Sequence, residues 1–217
     1  MDVRLIGATP NAEEQIVYVA RVSSSRKDKA AKPEGLINYL IKHKHWSPFE
    51  HASMTVEIET SKAIGIQLIR HRSFTFQEFS QRYQDVNKIG FDMFEPIEFR
   101  AQCEDNRQSS TEVVDPPVPV AGGHLPASVL LDDHLNRSRK LYDQLLAAGV
   151  AREQARMVLP LATKTKIYMT GTVRSWIHFL DMRDDGHAQK EIQEVARAVK
   201  EVFKQQFPIM SNALGYV

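Results

Sequence analysis

Between residues 52 and 60 the chain reads ASMTVEIET, which sets Met54, Val56 and Ile58 on one side and Thr55, Glu57 and Glu59 on the other. A period of two marks a strand with one buried face. VRLIGA, at 3–8, predicts a short first strand. Asn11 is placed to cap a helix in NAEEQIVYVARV, with Glu14 positioned to complete a capping box. Pro33 opens a second helix, PEGLINYLIKHK, whose Leu36, Ile37, Leu40 and Ile41 share one stripe. Pro48 pushes its predecessor out of helical geometry, so HWSPFEH reads as a connector. Ser61 caps a further helix through AIGIQLIRHR, which carries Arg70 and Arg72 at its end.

Periodicity disappears over 84–127, where Pro, Gly, Asn, Asp and Ser gather. An irregular, mobile segment is expected there, with one strand around PIEFRA. Helical spacing returns in SVLLDDHLNRSRKLYDQLLAAG, 128–149, and stops at Gly149. REQARMVL is a short helix ending before Pro160, KIYMTGT is extended, and VRSWIHFLDMR is helical. The last long helix begins near His187 and sets Ile192, Val195, Ala196, Val199, Val202 and Phe203 on one face. Helices and a few strands mix without a regular βαβ beat and no repeat occurs, so the class is α+β, in a single domain spanning 1–217.

Composition narrows the function. Hydrophobic content of 42% and charged content of 25% in 217 residues are those of an ordinary globular chain with a real core. A net charge of +1 supplies no general pull toward nucleic acid or acidic membranes. Cys103 is the only cysteine, which excludes an internal disulfide and a cysteine zinc cage and suits a reducing compartment. The N-terminus lacks the pattern of a secretory signal, and the longest charge-free stretch is broken by prolines and glycines, so a cytoplasmic protein outside the membrane is expected.

Local chemistry is concentrated in RHRSFTFQEFSQRY, 70–83. Arg70, His71, Arg72 and Arg82 surround Phe74, Phe76, Phe79 and Tyr83, with Glu78 the only acid. Cations at a helix end are favoured by the macrodipole, at roughly 0.3–1 kcal/mol each, and that explains one arginine. The run that follows is richer than this requires. Guanidinium forks match phosphate, Ser80 and Gln81 add neutral donors, and Glu78 can accept from ribose or ring N–H groups, a mixture suited to a nucleotide. The same interleaving of basic and aromatic groups also suits a single-stranded nucleic-acid binder, the leading alternative. His43, His45 and His51 raise a metal reading, but their spacing fits no standard ligand motif, and no metal is expected. In VRSWIHFLDMR, Trp176, Leu180 and Arg183 fall on one face, so Arg183 projects from an apolar stripe, while Arg174 and His178 lie on the opposite face. Two polar edges in two directions hint at sites shared between subunits. No dinucleotide, P-loop or nucleophile-elbow motif is present.

Taken together, these segments resemble the flavin-dependent thymidylate synthases. The family hallmark is RHR, seven residues, then Ser, which stands here as RHRSFTFQEFS at 70–80. HWSPFEHASMT at 45–55, Gln67, REQARMVLPL at 152–161 and RSWIHFLDMRDDGHAQKEIQ at 174–193 agree with it, and the resemblance runs from about residue 2 to the end. It implies that family's fold, with mixed helices around a small, mostly antiparallel sheet. The reaction implied is reductive methylation of deoxyuridine monophosphate (dUMP) to thymidylate (dTMP), with methylenetetrahydrofolate as carbon donor and NADPH as reductant through FAD. By resemblance, Gln67, Arg70, Glu78, Ser80, Gln81, Arg82, Arg156 and Arg183 hold the nucleotide, and Arg183 polarises the uracil ring at its nitrogen 3 edge. Ser47, Arg70, His71, Arg72, Glu78, Thr172, Val173, Arg174 and His178 lie along the flavin; His45, Glu50 and His187 border the same cavity. The family is homotetrameric. Thr172 and His178 depart from its commoner pattern, standing where asparagines are frequent. Cys103 has no adjacent histidine, so the usual thiolate attack on the pyrimidine lacks an activated nucleophile. Ser80 has no evident general base and reads as a ligand for the nucleotide.

Overall fold

The computed structural model describes residues 2–22, 32–90 and 92–216. In chain order the first elements are β1 (Asp2–Ala8), α1 (Ala12–Ala20), α2 (Pro33–Lys42), β2 (Ser53–Ser61), α3 (Lys62–Leu68) and β3 (Phe74–Glu78). They are followed by β4 (Arg100–Gln102), β5 (Ser110–Val113), β6 (Pro117–Val120), β7 (Gly123–Pro126), α4 (Ala127–Ala147) and α5 (Arg152–Ala155). The chain closes with β8 (Lys164–Thr172), α6 (Val173–Arg183), α7 (Lys190–Gln206) and α8 (Pro208–Leu214). Helices with small antiparallel sheets make the class α+β, as the patterning predicts.

Contacts group the chain into two compact units. The first takes 1–59, 67–77 and 167–217. β1 pairs antiparallel with β2, in a sheet ordered β1-β2-β8-β3. The alternation in β2 works as read: Met54, Val56 and Ile58 are buried. Glu57 is buried as well, which alternation alone does not predict. Its cross-strand partner in the register is Arg4, whose Nη2 lies 2.7 Å from Oε1, so the carboxylate is paired where it leaves water. Trp176, Phe179 and Leu180 of α6 join this core with Ile192, Val195, Ala196, Val199 and Phe203 of the predicted α7 stripe, while Val202 is only half-buried. The Trp176 indole N–H donates to the Met54 carbonyl at 2.9 Å. Gly171 in β8 lies flat against the Phe74 ring, where an added Cβ would come within 2.4 Å of ring carbons.

The second unit takes 60–66 and 78–166. Val86, Met93, Tyr142 and Ala155 form its core with Phe79, Leu145 and Val158 against them. The Tyr142 hydroxyl accepts from the Val86 amide and donates to Asp85, each at 3.3 Å, so its polar end is satisfied.

Three local expectations are corrected. Asn11 sits before α1 but in the left-handed region, with φ 49°, and makes no side-chain cap; an N-cap bond needs an extended backbone, so the box with Glu14 does not form. The third helix ends at Leu68, before Arg70, so Arg70, His71 and Arg72 lie in the turn that leads to β3. The segment expected to be irregular, 84–127, contains two hairpins, β4–β5 and β6–β7. In the second, Val120 pairs with Gly123 across a two-residue turn, and Gly122 supplies the positive φ that the turn requires.

Candidate functional site

The predicted residues divide between the two units. In the first, α6 organises the group. Thr172 is its N-cap, with the hydroxyl accepting from the Ser175 amide at 3.3 Å; threonine thus keeps the capping ability of an asparagine at this place. Val173 is fully buried and its amide donates to the Ala52 carbonyl at 2.8 Å. Arg174 and His178 are exposed on one face, and Trp176 and Leu180 are buried on the other, as the helical spacing predicts. Arg174 pairs with Glu50 from the turn at Ser47–His51. A cavity of about 390 Å³ opens here, lined by Trp46, Glu50, Ser73, Arg174, Ser175, Ile177, His178 and Asp181.

Arg183 ends α6 half-buried, and its Nε donates to Nε2 of His71 at 2.9 Å. Burial lowers the Arg183 pKa, and among the described residues no carboxylate pairs with it. His71 is buried against Phe179, with ring centroids 5.1 Å apart. Burial first, then the charges of Arg183 and His178, bring the His71 pKa down to about 4, so the ring is neutral near pH 7. Arg70, Arg72, Ser47 and His45 are exposed. His45 stands by the rings of Tyr39 and His43, at 5.9 and 6.0 Å. Gln67 donates to Gln189 at 2.6 Å, and His187 is held by Asp185 through its amide and Nδ1. Among the described residues no three of His, Cys, Asp or Glu converge as a metal site.

The second unit holds Glu78, Ser80, Gln81, Arg82 and Arg156. Glu78 Oε1 accepts from Lys62 at 2.8 Å and from Thr165 at 2.9 Å. The Ser80 carbonyl accepts from the Tyr83 and Gln84 amides, which closes a turn. Ser80 and Arg82 line a cavity of about 460 Å³ with Tyr83, Ala151, Arg152 and Glu153. Gln81 is buried, and its Nε2 has no partner among the described residues; an open buried donor costs about 1–3 kcal/mol. Arg156 is half-buried and donates to the Glu153 carbonyl. A hydroxyl beside two guanidiniums is a fitting donor set for phosphate.

A family profile described as thymidylate synthase complementing protein matches residues 4–209. The chain is 40% identical over 225 aligned residues to the probable flavin-dependent thymidylate synthase of Paramecium bursaria Chlorella virus 1, covering all of both chains. It is 40% identical over 226, again covering all of both, to the flavin-dependent thymidylate synthase of Synechocystis sp.. The chain belongs to the flavin-dependent thymidylate synthase family. A third relative in this family, from Thermosipho melanesiensis, is 36% identical over 88% of this chain and 81% of its own.

For a member of the flavin-dependent thymidylate synthase family, Trp46, Asp181 and Arg152 are among the pocket residues that went unremarked in the sequence. Trp46 and Asp181 flank residues already singled out, and their signal was adjacency alone. Arg152 opens the same REQAR run as Arg156, and its guanidinium pins the Tyr83 carbonyl at 3.2 Å. The i, i+4 spacing of Arg152 and Arg156 is the pattern that could have found it.

Proposed function

We propose that this chain methylates dUMP reductively to dTMP, with methylenetetrahydrofolate as carbon donor and NADPH as the source of reducing equivalents through FAD. Residues 1–217 act as one domain of the synthase fold, in a cytoplasmic homotetramer. The observation that carries the reading is Arg183: a half-buried guanidinium held by a neutral partner, with no carboxylate among the described residues to cancel its charge. Family membership over the whole chain supports it and favours it over single-stranded nucleic-acid binding.

The α6 cavity suits a flat, phosphate-bearing cofactor: Trp46 and Ile177 offer apolar surface, and Arg174, Ser175 and His178 offer donors. Ser47, Arg70, His71, Arg72, Glu78, Thr172, Val173, Arg174 and His178 would hold FAD, bordered by His45, Glu50 and His187. Bound FAD supplies hydride chemistry that no side chain can provide. The nucleotide falls to Gln67, Arg70, Glu78, Ser80, Gln81, Arg82 and Arg156. Arg183 stabilises negative charge as it develops on the pyrimidine, a route to a nucleophilic carbon 5 that needs no thiolate adduct. Preorganised donors of this kind are worth about 10²–10³-fold in rate. The test is direct: purified chain, FAD, NADPH, methylenetetrahydrofolate and dUMP, with dTMP quantified by chromatography. Formation of dTMP that depends on each component is expected. Its absence with all components present would overturn the assignment.

A further inference from the structure

His71 and Arg183 are joined by a hydrogen bond whose direction is fixed by chemistry. An arginine Nε always carries its proton, so it must donate, and Nε2 of His71 must accept. The imidazole is therefore neutral, with its one proton on Nδ1. A carboxylate is the commoner partner for a half-buried guanidinium, and it would fix the side chain while cancelling its charge. A neutral imidazole fixes the side chain and leaves the charge intact. Among the described residues only the Nε–H is used, which leaves the terminal nitrogens' donors for a ligand. Phe179 and Phe74 pack edge-on against the His71 ring, at 5.1 and 6.3 Å, so the acceptor itself cannot wander.

We propose that His71 is a positioning residue: its Nδ1-protonated ring accepts from Arg183 Nε and orients the guanidinium for the reacting ligand without neutralising it. The proposal rests on Arg183 having the role given above. It goes beyond the contact His71 would make along the flavin, because the positioning is done through Arg183. The charged and titratable groups acting on the His71 ring are Arg183 and His178, and both favour its neutral form. Arg183 is long and rotamer-rich, and holding one end of its fork removes freedom that would otherwise be lost during the reaction.

Two variants separate positioning from packing. His71→Phe keeps a ring against Phe179 and Phe74 but removes the acceptor; His71→Gln restores a neutral acceptor near the place of Nε2. For His71→Phe, kcat should fall on the order of 10–10²-fold. His71→Gln should recover most of that loss. Introduced into Arg183→Lys, which has no Nε–H fork, His71→Phe should cost little more. Wild-type kcat in His71→Phe overturns the proposal, as does a Gln variant no better than Phe, or the same cost in both backgrounds.

A readout without turnover comes from selective ¹⁵N labelling of histidine, with His71→Gln assigning the resonance. His71 should show a protonated Nδ1 and a bare Nε2, unchanged between pH 8 and 5. An Nε2–H tautomer, or ordinary titration near pH ~6.5, sinks the inference even if His71→Phe fails to fold. Failure of the wild-type chain to form dTMP would count against the synthase reading, while the ¹⁵N signature would still decide the pairing.

Discussion

Two arginines on α6 meet opposite treatment. Arg174, on the outer face, is half-exposed and faces a carboxylate, Glu50, so its charge is already compensated. Arg183, at the helix end, is drawn into a less polar place and faces a neutral imidazole. The first arrangement is inexpensive and weak, as surface pairs usually are. The second keeps a positive charge partly out of water with no carboxylate among the described residues to cancel it, which is costly unless a ligand draws on it. The contrast identifies the residue that function demands better than a count of arginines does.

Substitutions sharpen the contrast by size of effect. Arg183→Ala should lower kcat by about 10²–10³-fold and leave the thermal melting profile close to wild type. Turnover near wild type in that variant would remove Arg183 from the chemistry. Gly171→Ala reaches the same region from behind. Its new Cβ meets the Phe74 ring, which packs on Trp176 at 4.6 Å and beside His71. A loss of about 1–3 kcal/mol in urea unfolding is expected from overpacking; an unchanged midpoint would show that the ring shifts freely.

The pH dependence of stability follows from the sign of the His71 shift. Its folded pKa of about 4 lies below the unfolded value of ~6.5, so the unfolded chain takes up the proton first. This contribution is constant above pH ~6.5 and falls as pH drops toward 4, by at most about 1.4 kcal/mol per unit. Urea titrations at pH 7 and pH 5 on wild type and His71→Phe isolate it; an equal slope in both would contradict the neutral, buried ring. The smallest change is expected for Glu50→Gln, below about 1 kcal/mol in the same assay. A larger loss would mean that the outer pair matters to the fold.

Much of this contrast is legible in the sequence. The i, i+4, i+7 spacing of Trp176, Leu180 and Arg183 placed one arginine beside the core, and the alternation of β2 placed Met54, Val56 and Ile58 in it. The partner of Arg183 is not legible, because His71 lies far away in the chain and is buried by a turn that the helical pattern of AIGIQLIRHR conceals. No Gly or Pro marks the end at Leu68, so local propensity had no stop signal to read. The alternation of FTFQE was there to be seen as β3, but the basic residues before it drew the helix onward. The β6–β7 hairpin was hidden by its prolines, which sit at the Pro117–Pro126 end of the pair and at Pro119, positions tolerated in a two-stranded edge pair.

The proposed activity requires this chain to hold flavin and dUMP together. The visible absorption spectrum tests it most directly, recorded after adding FAD and desalting, then again with dUMP. A flavin band that stays with the protein and shifts on adding the nucleotide is the predicted result. A chain that retains no flavin at high protein concentration, with its assembly intact, would contradict the account.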